Sequence, residues 1–172
     1  MYDLLMLAML ISGSKHGYQL KRDTMSLVGR GKLHNNQIYP ALRRFTQNRW
    51  VSKKLVAGQR GQTRHLYSLT ARGRKELIAQ LSRFSVEDAA SAEAFRLRVG
   101  LFVLLRPDTR NRILDARESY LRARFTALTN VQKAPRGLDR YAGEVTAHVK
   151  VELESELDWI TRLREISHTL KG

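Results

Sequence analysis

Apolar positions change their period twice along the chain. Residues 2–12 are apolar nearly all round and stop at Ser12-Gly13-Ser14, which predicts a first helix buried on most faces. A second short helix is expected from about 16 to 28, closed by Gly29-Arg30-Gly31, residues that tolerate left-handed backbone. The third begins near Asn35 or Asn36, either of which can cap free backbone NH groups, and runs to about 48. With about 100° of rotation per residue, Ile38, Leu42 and Phe45 share one stripe. Asn36, Pro40, Arg43 and Gln47 share the opposite one, with Tyr39 and Arg44 flanking. Pro40 lies early enough to forfeit roughly one helix bond without breaking the middle.

After Trp50 the period shortens. Residues 51–57 and 66–69 favour strands, and Gly58-Gln59-Arg60-Gly61-Gln62-Thr63-Arg64 between them predicts a hairpin with a basic tip. Thr70 caps a fourth helix, 71 to about 84, with Leu77, Ile78 and Leu81 facing inward. The helical period then returns over 92–105, ending at Arg106-Pro107. Asp108 or Thr109 caps the next helix, which runs to about 131 on a stripe of Ile113, Leu114, Leu121, Phe125 and Leu128. Residues 138–170 carry apolar side chains at 138, 141, 145, 149, 153, 157, 160, 163 and 170, a three-four alternation that asks for a partner helix and leaves a seam for a second subunit. Only 85–91 and 133–137 read as loose.

The predicted fold class is therefore mainly α. A winged helix-turn-helix N-terminal domain with a two-stranded wing occupies residues 1–84, and a C-terminal domain of long antiparallel helices occupies residues 85–172.

Charge sharpens this division. Residues 1–84 hold 16 Lys or Arg against three acids, Asp3, Asp23 and Glu76, whereas residues 85–172 hold 15 bases against 13 acids. A merely solubilising charge would spread over the whole chain, so the first half reads as a polyanion-binding module and the second as its near-neutral companion. There is no cysteine, which removes disulfides, thiolate metal sites and a thiol nucleophile. The histidines at 16, 34, 65, 148 and 168 have no paired ligand spacing, so neither metal nor other cofactor is expected. No phosphate-loop, dinucleotide or nucleophile-elbow motif occurs, and the chain does not read as an enzyme. The apolar run at 4–11 follows Asp3 without a basic flank and is too short to cross a bilayer, so the expectation is a cytoplasmic protein with no membrane partner.

Three motifs in order, Leu7 to Gly13 with His16-Gly17-Tyr18-Gln19-Leu20, then Gln37-Ile38-Tyr39-Pro40-Ala41-Leu42-Arg43-Arg44-Phe45, then Tyr67-Ser68-Leu69-Thr70-Ala71-Arg72-Gly73, resemble the PadR family of bacterial transcriptional regulators. The resemblance covers about residues 2–84 well, and the later helices only by length and texture. It implies a homodimer, and the expectation is a sequence-specific regulator, a repressor, acting on a two-fold symmetric operator in double-stranded DNA. Leu4 and Leu5 of the first helix and Tyr141, Val145, Val149, Leu153, Leu157, Ile160 and Leu163 of the last would make the dimer interface. One departure stands out: where the family commonly reads Glu-x-x-Gly-Leu after the third helix, this chain has Asn48-Arg49-Trp50.

Within that frame Arg43 and Gln47, together with Asn36, are placed to reach base edges, because Arg pairs with guanine and Asn or Gln with adenine in bidentate geometry. Gln37, Tyr39, Pro40 and Arg44 complete the same helix surface, with Tyr39 a phosphate donor through its hydroxyl. Lys15 and His16 are expected at the positive end of the second helix, and Lys32 beside the third. Arg60 and Arg64 straddle the wing turn, with Lys53 and Lys54 in support. Arg43→Ala should relax sequence preference, whereas Arg60→Ala should weaken all sequences alike, and binding should fall steeply with salt. Trp159, Tyr141 and His148 lie on or near the seam of the last helix. Packing is the preferred reading of these, and a pocket for a small aromatic effector, as in some relatives, is the other. Two further classes stay open: a non-specific architectural or RNA-binding basic protein, and a protein-interaction module.

Overall fold

The computed structural model describes residues 2–28, 35–57, 63–130 and 139–169. The chain divides into two compact units, residues 1–83 and 84–172.

The first unit runs α1 (Tyr2–Met9), β1 (Lys15–His16), α2 (Gly17–Val28), α3 (Asn35–Gln47), β2 (Val51–Ala57), β3 (Thr63–Leu69) and α4 (Ala71–Ser82). Leu4, Leu5, Met6, Leu7 and Ala8 are all buried, as the unbroken apolar run of α1 demands, and α1 packs on α2 and α4. Ile38, Leu42 and Phe45 of α3 are buried and Pro40, Arg43 and Gln47 exposed, which is the predicted two-sided helix. The wing is a β2–β3 hairpin in register Val51↔Leu69 to Ala57↔Thr63. A third strand, β1, pairs antiparallel with β3 through Lys15↔Tyr67 and His16↔Leu66, giving the order β1-β3-β2. Two residues carry no visible alternation, so the sequence predicts the two-stranded wing and not this short third strand.

How α3 ends fixes its aim. Asn48 NH bonds Arg44 O, Arg49 NH bonds Thr46 O (3.0 Å) and Trp50 NH bonds Phe45 O (2.9 Å), so the last carbonyls are met by a Schellman turn. Arg49 carries φ +59°, the left-handed position of this turn, which favours glycine. A left-handed L-residue costs roughly 1 kcal/mol. Arg49→Gly is therefore expected to stabilise the unit by about 0.5–1 kcal/mol, seen as a higher urea midpoint, and an unchanged or lower midpoint would contradict the reading. The turn is clamped from the other side: the Thr70 hydroxyl donates to Arg49 O (2.7 Å) and accepts from Gly73 NH (2.9 Å), capping α4 as predicted.

The second unit comprises α5 (Val86–Ala90), α6 (Ala92–Val99), a 3₁₀ turn (Phe102–Leu104), α7 (Pro107–Asn130) and α8 (Asp139–Thr169). Residues 85–91, expected loose, hold α5 instead: Ser85 and Asp88 form a reciprocal capping box, and Ser91 caps α6 by accepting from Ala94 NH. The predicted 92–105 helix stops at Val99 and gives way to the 3₁₀ turn. Pro107 opens α7 at the first helical position, which proline favours, so Asp108 and Thr109 lie inside the helix rather than capping it.

The helices α7 and α8 pack antiparallel. Arg117 meets Glu156, Arg164 meets both Asp115 (2.8 Å) and Glu118 (2.6 Å), and Lys150 lies over the Phe125 ring. Hydrogen bonds from Arg122 and Arg164 hold the Glu118 carboxyl below its ordinary pKa. Burial of Arg164 works against its charge, but Glu118 and Asp115 outweigh it and raise its pKa. Ile113, Leu114 and Leu121 of α7 and Leu153 and Ile160 of α8 are buried, while Phe125 and Leu128 are only half-buried.

Candidate nucleic-acid interface

The exposed front of α3 is built by its buried back. With Ile38, Leu42 and Phe45 fixed in the core, the rotation of the helix leaves Gln37, Tyr39, Pro40, Arg43, Arg44 and Gln47 in solvent. Arg43 makes no ion pair among the described residues, so its guanidinium is available to a ligand. Arg44 is not equally free: it forms an ion pair with Asp3 of α1 and lies 5.7 Å over the Phe45 ring. It ties α3 to α1, and a phosphate would have to compete with Asp3 for it. Asn36 lies in the first turn of α3, and its side chain is outside the described residues.

Beside this front, a cavity of about 540 Å³ opens between the start of α2, the middle of α3 and the base of the wing. Strand β1 creates it by holding His16 against β3, where His16 Nδ1 sits 3.2 Å from His65 O. Gln19 accepts from His16 NH (3.1 Å) and caps α2 from within its first turn. Gly17 lets both rings close in on the start of α2: a Cβ there would stand 3.3 Å from the Tyr67 ring and 3.4 Å from Tyr39. Arg22 and Arg64 supply positive charge, and Tyr18 and Tyr39 (66% and 52% exposed) supply hydroxyls. Burial, and after it Tyr39, raises the Tyr67 pKa above its ordinary value, so that phenol stays a neutral donor. Guanidinium and phenol groups around a helix N-terminus form a natural phosphate seat.

One expectation changes. Lys15 does not stand free at the dipole end of α2: it lies in β1 and its ammonium is 3.0 Å from Asp23. That hydrogen bond, first among several causes, lowers the Asp23 pKa. The residues missed from sequence are Tyr18, Arg22, His65 and Tyr67. Their signal was the His16-Gly17-Tyr18 motif, but only the β1–β3 pairing brings them together. On the wing, Arg64, Lys53 and Lys54 are exposed. Lys32, His34, Gly29-Arg30-Gly31 and Arg60 with the rest of the tip lie outside the described residues.

In the second unit the proposed interface residues divide. Leu153 and Ile160 are buried against α7, Val149, Leu157 and Leu163 are half-buried, and Tyr141 (86% exposed) and Val145 face solvent. Leu4 and Leu5 are buried within the single chain and leave no free surface for a partner. Nor do Trp159, Tyr141 and His148 make one pocket. They share a face of α8, but the 18 residues from 141 to 159 rise about 27 Å. Trp159 packs edge-on against Phe95 (5.6 Å, 80°), while His148 sits 3.7 Å from Glu152. No described helix is long and apolar enough to cross a membrane.

Residues 6–79 match the family model described as the transcriptional regulator PadR-like family. Among solved structures, the chain is similar to Bacillus subtilis PadR in complex with operator DNA, at 14% identity over 94% of this chain and 97% of that one, with a TM-score of 0.47. It is similar to the same regulator in complex with p-coumaric acid, at 16% identity over 96% and 98%, TM-score 0.42. A PadR family transcription regulator from Clostridium difficile is 23% identical over 46% of this chain and 81% of that one, TM-score 0.40. No curated protein matches the chain.

Proposed function

We propose, from the match of residues 6–79 to the transcriptional regulator PadR-like family, that the chain is a homodimeric, sequence-specific repressor of a two-fold symmetric operator. Residues 1–84 serve as the DNA-binding domain and residues 85–172 as the dimerisation domain. The observation that carries this reading is the exposed Arg43, without an ion-pair partner among the described residues, on a helix whose opposite stripe is sealed in the core, next to an open recess of tyrosines and arginines. Arg43 and Gln47 read major-groove edges, Tyr18, Arg22 and Tyr39 seat a backbone phosphate, and Arg64 follows the flanking backbone. Dimerisation is supported by the uncovered apolar residues Tyr141 and Val145 at the start of α8.

Footprinting on the chain's own upstream region, followed by anisotropy titration of the protected duplex and a random one, tests the reading. A regulator prefers the first by about a thousandfold or more, and equal affinities would favour the architectural or RNA-binding alternative. Arg43→Ala is expected to cost about 1–3 kcal/mol on the operator and little on random duplex, whereas Arg64→Ala weakens both alike. Equal losses from both variants on both duplexes would overturn the roles assigned to them.

A further inference from the structure

Between α6, α7 and α8 lies an open groove of about 590 Å³, within the range of sites that hold a mid-sized organic ligand. Its lining is unusual in charge. Four guanidiniums, Arg96, Arg117, Arg124 and Arg162, face two carboxylates, Glu152 and Glu156. Arg117 and Glu156 neutralise each other at 2.8 Å, and Glu152 sits by His148. Arg96, Arg124 and Arg162 have no ion-pair partner among the described residues, although a fold that needed only solubility would spread such charges apart. Trp159 lines the same groove, its indole pinned edge-on by Phe95 and half-buried, with Leu121 and Leu153 alongside.

From this we infer that the groove binds an aromatic ligand carrying several negative charges, of the nucleoside di- or triphosphate class. The indole and the leucines offer a planar, apolar bed for a base. Guanidinium forks match phosphate oxygens in bidentate geometry, and one polyphosphate chain can engage all three unpaired arginines. A ligand with a single carboxylate would leave two of them unanswered, so the groove asks for a polyanion. The inference goes beyond DNA binding and does not depend on it, because the site lies wholly within residues 92–162.

The chain has two tryptophans, so Trp50→Phe leaves Trp159 as the sole indole reporter. That variant is titrated with ATP, GTP, adenosine and inorganic tripolyphosphate, without DNA. ATP or GTP is expected to change Trp159 emission saturably, with adenosine and tripolyphosphate each at least about tenfold weaker, a difference of about 1.4 kcal/mol. Arg124→Gln and Arg162→Gln should each weaken ATP by a similar factor while leaving adenosine and the thermal midpoint unchanged. No saturable response to either nucleotide would overturn the proposal, as would a groove already covered by a second copy, which gives the same silence. So would affinities indifferent to the two substitutions, or tripolyphosphate binding as tightly as ATP. A chain that binds ATP but no operator would keep this inference and remove the regulator reading, and the reverse result would do the opposite.

Discussion

Gly73→Ala is expected to destabilise the first unit by about 3 kcal/mol or more, and with it to abolish DNA binding. A Cβ at this position would stand 2.0 Å from the Trp50 carbonyl oxygen, 2.8 Å from its carbon and 2.9 Å from Leu69 Cδ1. The obstacle is backbone, so no rotamer change relieves it. That backbone is also held in place: Trp50 O accepts from Thr70 NH (3.0 Å), while Trp50 NH closes the turn onto Phe45 O. To admit one methyl group, α4 must back away from the end of α3 and lose the Thr70 clamp. Gly100→Ala is the control, since the nearest atoms to its Cβ are 3.6 and 3.7 Å away and its φ of −60° suits any residue. Urea denaturation followed through Trp50 in a Trp159→Phe chain, at fixed protein concentration, reads the effect. A Gly73→Ala midpoint equal to its parent's would show that the α3–α4 junction is far softer than its hydrogen bonds indicate.

The same junction explains what sequence could and could not reveal. The back of α3 was legible because Ile38, Leu42 and Phe45 repeat at the helical period, and the wing because 51–57 and 66–69 drop that period. Thr70 announced a cap, and Gly73 three residues on is where that cap's hydrogen bond lands. Missed features depend on partners distant in the chain. β1 is two residues whose only reason to extend is the open edge of β3. Lys15 looks like a free cation until Asp23 closes on it one helix face away. Arg98 and Arg117 count as surface charge in any tally, yet both are buried. Arg98 reaches back to Asp88 at 2.7 Å, and its pKa is lowered by burial and partly restored by that carboxylate. Ser85 and Asp88 did carry the short-range capping signature of α5, but five residues offer too little periodicity to count as a helix.

Glu156→Ala is expected to cost the second unit about 3–5 kcal/mol, because it strands a charge rather than trimming a side chain. The Arg117 side chain is 4% exposed and that of Glu156 15%. Arg117 Nε and Nη2 donate to the two carboxylate oxygens at 3.0 and 2.8 Å, Nη1 donates to Ala89 O at 2.6 Å, and the guanidinium lies near the Phe95 and Tyr120 rings. Without the carboxylate, one backbone carbonyl and two ring faces remain to replace both the ion pair and the water given up on folding. A double replacement, Arg117→Met with Glu156→Leu, removes the desolvation cost along with the attraction, and is expected to recover most of the loss. Trp159 fluorescence during urea unfolding of the Trp50→Phe chain resolves the two cases. If the single and double variants unfold together, the pair contributes only packing volume. If the double variant is markedly the more stable, the loss in Glu156→Ala is the cost of stranding the Arg117 charge, and apolar packing rather than the ion pair holds α8 on α7.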